Sequence, residues 1–127
     1  MRARITEGKL LVRVKLKGKR FNAFEDALID TGAAFTVIPP AIAEFLELEP
    51  NREMPKAVLV TASGLIEVPV KTLDRIEVDG VTVDDLSVVV HKIPDPAPIK
   101  VLLGMNFIKS VKLVVDGKKN QLKIEDP

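Results

Sequence analysis

The stretch ALIDTGAAFTVIPP, residues 27–40, constrains the fold most, because it places a carboxylate between two apolar runs. The first run ends at Ile29, Asp30 follows, and the second run ends at Ile38. Asp, Thr and Gly are common turn residues, and an Asp side chain can bond its own backbone two residues further on. Apolar runs on both sides place this turn against the core, where a carboxylate must be hydrogen-bonded or used. The motif therefore predicts either an Asx-turn or a reactive carboxylate.

Strand signals dominate the rest of the chain. Apolar and polar residues alternate over residues 10–16 and 66–70, which is typical of half-buried strands. Further strands are predicted at residues 21–29, 36–38, 57–60, 75–78, 81–83, 86–90, 101–104, 112–115 and 121–124. Asp79-Gly80 suits the positive φ angles of a type I′ hairpin turn. Residues 61–64 are predicted to be a turn, and residues 49–55 and 94–98 surface connections.

One clear helix is predicted at residues 41–46, after two prolines, and one helical turn at residues 105–110. The first has apolar residues at i, i+3 and i+4 spacing, and Pro40 suits its first position. Short, closely spaced strands around so little helix predict a mostly β barrel or sandwich. Residues 1–127 are expected to form a single domain.

Composition excludes several kinds of chemistry. The 127 residues include no cysteine and one histidine, His91, so disulfides, thiolate nucleophiles and multi-histidine metal sites are not expected. No serine lies in a Gly-x-Ser-x-Gly turn. A net charge of +1 and 4% aromatic residues argue against nucleic-acid binding, and the basic residues at 13–20 alternate as on a solvated strand face. Without a signal segment or an apolar span, a cytoplasmic protein without metal or cofactor is expected.

A lone buried carboxylate is a poor hydrolase, so a partner for Asp30 is needed. Asp26 lies on the same strand face, but about 13 Å away at ~3.3 Å per residue. Asp84, Asp85 and Asp95 lie in predicted loops without the same apolar surroundings. A two-fold axis would bring Asp30 against Asp30 of a second copy, and two close carboxylates share one proton. In such a homodimer, one carboxylate could take a proton from water while the other donates a proton to a carbonyl.

The motif resembles the active-site signature of the retropepsin-like aspartic proteases, single-domain relatives of retroviral protease. VLLGMNFI, residues 101–108, is similar to the family's second mark, and VTASG, residues 60–64, lies where the family has its flap. The proline-rich segment 94–98 corresponds to a wall of the substrate cleft. The resemblance covers roughly residues 10–125. It implies a homodimeric, closed or partly open β-barrel with one or two short helices that acts as an aspartic endopeptidase on a peptide or unfolded protein.

The resemblance also implies roles for individual residues. Asp30 would be the catalytic carboxylate, Thr31 would bond across the dimer, and Gly32 would place an N–H near the paired carboxylates. Substrate contacts would come from Ala33, Ala62, Ser63, Gly64 and Leu103, with Leu65 and Ile66 in the cleft wall, and support of the site from Leu102, Gly104 and Asn106. Met105 replaces the arginine that ties the viral dimers together, so other contacts are expected there.

Two alternatives compete with the protease. The same dimer could serve as a non-catalytic module that binds peptides or joins chains. The chain could instead be a plain β domain in which Asp30 does no more than close an Asx-turn. The intact Asp-Thr-Gly sequence favours the enzyme.

Overall fold

A computed structural model describes residues 3–93 and 99–126. These residues form eleven strands and two short helices. The strands are β1 Arg4–Thr6, β2 Lys9–Lys17, β3 Asn22–Ile29, β4 Thr36–Ile38, β5 Glu49–Pro50, β6 Lys56–Thr61, β7 Gly64–Val78, β8 Val81–Val90, β9 Val101–Leu103, β10 Lys112–Asp116 and β11 Gln121–Glu125. The helices are α1 Pro40–Phe45 and α2 Met105–Ile108. The predicted cleft wall at 94–98, with Asp95, lies outside the described residues.

Six strands close into a barrel. The main sheet runs in the order β1-β2-β3-β9-β4-β8-β7-β5, and β2 also pairs with β7. This extra pairing joins β2, β3, β9, β4, β8 and β7 in a ring, which removes free edges at these strands. The mostly β barrel with two short helices confirms the predicted fold class.

The core fills the barrel because the strand residues alternate in burial. Val12, Val14 and Leu16 of β2 are buried, whereas Arg13 between them is exposed. Phe107 of α2 is almost fully buried in the same cluster. The alternation predicted for residues 10–16 is confirmed, with its basic residues on the outer side.

Two long strands replace several short ones. β7 runs unbroken for 15 residues, and β8 for 10. The Asp79-Gly80 turn between them has φ angles of 52° and 85°, as its sequence predicts. The ladder is interrupted where Asp85 has a φ of 53°, opposite Asp74. The sequence predicts two strands, 81–83 and 86–90, because the two acidic residues between them interrupt the apolar pattern at this same place.

Two short strands were not predicted. β1 pairs with β2 through a turn at Glu7-Gly8, and β5 lies inside the segment expected to be a surface connection. Both pair with longer strands, which hold them in place. They were not predicted because a segment of two or three residues is too short to show alternation between apolar and polar residues. The final hairpin, β10 with β11, agrees with its prediction.

No helix in residues 3–93 and 99–126 is both long enough and apolar enough to cross a membrane. Over the same residues, the acidic and histidine side chains form no cluster suited to a metal ion.

Candidate active site

Asp30 is held at the end of β3 by its backbone and its carboxylate. β3 runs parallel to β9, and the Asp30 N–H donates to the carbonyl of Leu103 at 2.9 Å. Carboxylate oxygen Oδ1 accepts from the Gly32 N–H at 2.8 Å, and the Asp30 carbonyl accepts from the Ala33 N–H at 3.2 Å. The Asx-turn geometry is therefore present, and it orients the carboxylate.

The sheet face that carries Asp30 is apolar and half-buried. Leu28 of β3 lies opposite Leu102 of β9, which lies opposite Val37 of β4. Residues paired in register point to the same side of a sheet, and Asp30 is two residues beyond Leu28. All four side chains are half-buried, while their neighbours Ala27 and Leu103 point into the core. Asp30 therefore borders an apolar floor made of Leu28, Leu102 and Val37.

The burial of Leu103 contradicts its predicted role as a substrate contact. Its side chain is 0% exposed and belongs to the barrel core. Successive strand residues face opposite sides, so the residue on the Asp30 side is Leu102. The VLLG motif therefore identified the correct strand, but the prediction assigned the substrate-facing side to Leu103 instead of Leu102.

Gly104 allows two backbone segments to cross closely. A Cβ at this position would lie 2.3 Å from the carbonyl oxygen of Phe35 and 2.9 Å from that of Ala33. The Met105 N–H donates to the Ala33 carbonyl at 2.7 Å, and the Asn106 N–H to the Ala34 carbonyl at 3.1 Å. The start of α2 is thereby tied to the segment that follows Asp30.

A buried hydroxyl and an amide side chain support this crossing. Among the residues that the structure describes, Thr36 is the one polar residue that is buried, with 0% of its surface exposed. Its N–H and its Oγ1 both donate to Asn106 Oδ1 at 2.9 Å, and Oγ1 accepts from the Gly104 N–H at 3.3 Å. Asn106 Nδ2 donates to the Ser87 carbonyl at 2.7 Å. Asn106 was singled out from the sequence, whereas Thr36 was missed; its only signal was a hydroxyl inside an apolar run.

β6 and β7 form a hairpin at the residues that the sequence predicts to be a flap. Thr61 pairs with Gly64, so Ala62 and Ser63 form the exposed tip. Thr61 Oγ1 donates to the Gly64 carbonyl at 2.8 Å and accepts from the Ser63 N–H at 3.2 Å. Gly64 has a φ of 114°, a conformation that favours glycine. The tip is thus a tight, internally bonded turn.

The two faces of this hairpin differ. Leu59 and Ile66 are paired in register and pack in one apolar cluster with Phe35 and Val37. Val60 and Leu65, the next pair, lie on the other face and are 83% and 71% exposed. Ile66 therefore faces the β4 side of the hairpin. Leu65 faces away from that cluster.

The remaining candidate residues fall into two groups. Thr31 and Gly32 are exposed and Ala33 is half-buried, all in the Asp30 turn. Ala62, Ser63 and Gly64 lie together at the hairpin tip. The roles proposed for both groups stay predictions.

A family model described as "gag-polyprotein putative aspartyl protease" matches residues 12–110. The chain belongs to this family. The match includes the Asp30 turn, the hairpin and the Gly104 segment, which confirms the retropepsin-like resemblance identified from the motifs. A search of the curated proteins found no match.

The fold is similar to that of a solved structure, a retropepsin-like aspartic protease from Rickettsia conorii. The TM-score is 0.66 at 22% sequence identity, over 96% of this chain and 86% of that one. At this identity the similarity demonstrates a shared fold.

Proposed function

We propose that this chain is an aspartic endopeptidase that works as a homodimer, with Asp30 of each copy forming the catalytic pair. The observation that carries the proposal is the position of Asp30 beside the apolar floor of Leu28, Leu102 and Val37. The sequence contains one Asp-Thr-Gly turn, so a pair of such turns requires a second copy. Membership of the aspartyl protease family supports the same chemistry.

The reaction needs the two carboxylates in different protonation states. Close carboxylates share one proton, since both cannot ionise easily. The ionised Asp30 takes a proton from water as the water oxygen attacks the peptide carbonyl carbon, and the protonated Asp30 gives its proton to the carbonyl oxygen. As the C–N bond of the tetrahedral diol breaks, the nitrogen receives the proton that the first Asp30 took from water, and a diol hydroxyl gives its proton to the other Asp30, which restores the pair. The products are a carboxylic acid and an amine.

The floor beside Asp30 favours apolar substrate side chains next to the scissile bond. Leu28, Leu102 and Val37 present aliphatic surface there, and Ile66 faces the same region from the hairpin. The hairpin also has strand edges available, because residues 64–69 of β7 pair with β6 whereas β7 joins β8 from Val70 onward. An extended peptide can add to such an edge through its backbone.

Cleavage of an unfolded protein at pH 4 to 6 tests the proposal. Asp30→Asn should abolish cleavage, whereas Asp26→Asn, a matched change on the same strand, should retain it. Sedimentation of the wild-type protein should show a dimer at micromolar concentration.

Other outcomes identify the alternatives. Equal cleavage by wild type and Asp30→Asn would refute the role of Asp30. A stable dimer without cleavage would favour the non-catalytic module, and a monomer would count against the paired carboxylates.

A further inference from the structure

We infer that Asn51 is a positioning residue that holds the base of the β6–β7 hairpin, and that Ser87 connects it to the hydrogen bonds beneath the Asp30 turn. The catalytic part of this inference rests on the proposed function, but the positioning part concerns the folded chain itself.

The Asn51 side chain uses its full hydrogen-bonding capacity. Nδ2 donates to Thr72 Oγ1 at 3.2 Å and to Ser87 Oγ at 3.0 Å. Oδ1 accepts from the N–H groups of Glu53 and Met54 at 3.1 and 2.9 Å. An amide offers two donors and two acceptor positions, so each is occupied. Such a half-buried, fully bonded side chain has one preferred orientation.

Asn51 lies where the hairpin joins the barrel. It follows β5, and the loop at 51–55 leads into β6. The Asn51 N–H donates to the Val70 carbonyl at 2.9 Å, and the Val70 N–H donates back to the Pro55 carbonyl at 2.9 Å. Val70 is also the residue at which β7 leaves the hairpin and pairs with β8. Asn51 therefore bonds the entering loop to the outgoing strand at the hairpin base.

Ser87 of β8 connects this base to the candidate site. Its Oγ accepts from Asn51 Nδ2, and its carbonyl accepts from Asn106 Nδ2. Asn106 holds Thr36, and Thr36 accepts from the Gly104 N–H. A path of hydrogen bonds, continued at Ser87 through the covalent frame of that residue, therefore leads from Met54, at the hairpin base, to Gly104.

Packing follows the same route. Met54 packs in the same apolar cluster as Phe35 and Val37, together with Leu59 and Ile66 of the hairpin. Hydrogen bonds in partly buried networks strengthen one another, so loosening one end is felt at the other. Above its base the hairpin has no strand partner but itself in the described chain, so its inclination depends on this base together with the packing of Leu59 and Ile66. A loosened base should weaken substrate capture, and so raise KM more than it lowers kcat.

Amide hydrogen exchange in the free protein tests positioning without any need for catalysis. Asn51→Ala should speed exchange of the hairpin amides at least about tenfold and speed exchange of the Gly104 amide, while β2 and β3 stay protected. Asn51→Asp should restore protection at pH 7, since its carboxylate can accept from the loop amides and from both hydroxyls.

Two further variants test the path. Ser87→Ala removes the hydroxyl on the route to Asn106, whereas Thr72→Val removes the other acceptor of Asn51. Both should loosen the hairpin, but only Ser87→Ala should speed exchange at Gly104. If Asn51→Ala does not fold, Ser87→Ala carries the test, because it leaves the Glu53 and Met54 contacts in place. Unchanged hairpin exchange in Ser87→Ala, or equal effects of both variants at Gly104, would overturn the inference.

Kinetics separate this inference from the proposed function. In an active enzyme, Ser87→Ala should raise KM several-fold with little change in kcat. An inactive wild type with the expected exchange changes would reject the protease and keep the positioning role. An active wild-type enzyme whose variants show unchanged hydrogen exchange would support the protease and reject the positioning role of Asn51.

Discussion

Gly104 packs so closely against Phe35 that a Cβ on Gly104 would lie 2.3 Å from the Phe35 carbonyl oxygen. Phe35 follows the Asp30 turn by a few residues, and Gly104 directly follows β9, whose Leu103 carbonyl accepts the Asp30 N–H. The two backbones therefore hold Asp30 in place by direct contact. Any side chain at position 104 must separate them.

Gly104→Ala should lower the free energy of unfolding by about 1–3 kcal/mol and abolish peptide cleavage, since the obstructing atoms are backbone. Gly117→Ala is the matched control, because a Cβ there meets nothing within 4 Å. Urea unfolding and a cleavage assay measure both effects. Equal stability of the two variants would contradict the close contact.

Thr36→Val should cost about 1–3 kcal/mol of stability, because it leaves the Gly104 N–H and part of Asn106 unsatisfied in a buried place. Thr36→Ser keeps the hydroxyl and should cost less. Thermal unfolding of both variants is the measurement. A Thr36→Val variant as stable as Thr36→Ser would show that the hydroxyl contributes little.

Leu103→Ala should destabilise the protein by about 2–5 kcal/mol, as expected for a buried leucine. Leu102→Ala should cost less stability but reduce kcat/KM for peptides with apolar side chains at the scissile bond. Denaturant unfolding and kinetics on a peptide series separate the two effects. If instead Leu103→Ala changed peptide preference at unchanged stability, the assigned facing of β9 would be reversed.

Asp84 should contribute pH-dependent stability through Arg75. The hydrogen bond from Arg75 lowers the pKa of the Asp84 carboxyl below its usual value near 3.8, although burial opposes this. A lowered folded-state pKa stabilises the native protein above the unfolded pKa, and this contribution disappears as pH falls through the folded pKa. NMR titration of Asp84 should show the shift, and Arg75→Met should remove it. An unchanged Asp84 pKa in that variant would refute the pairing.

Much of the geometry of the candidate site could be predicted from the sequence because its signals are local. Asp30, Gly32 and Gly104 sit in short motifs whose residue types are demanded by a turn or a close backbone approach. Asn106 was identified through its motif as well. Leu103 was assigned to the wrong side of the sheet. Successive strand residues point to opposite sides, and the three residues of β9 are all apolar, so their sequence does not indicate which of them face the core.

Thr36 and Asn51 could not be recognised from sequence, because their partners are distant along the chain. Thr36 bonds Asn106, 70 residues away, and Asn51 bonds Ser87, 36 residues away. Neither residue lies in a pattern that names a partner, so only the folded barrel brings them together.

The sequence by itself determined the strand-rich class, the two motif turns and the carboxylate at the end of a buried strand, because alternation and turn chemistry act over a few residues. The tertiary structure decided the closure of the barrel, the facing of Leu102 and the hydrogen-bonded path from the hairpin base to Gly104. These depend on register between strands far apart in sequence, and register is set by packing of the whole core.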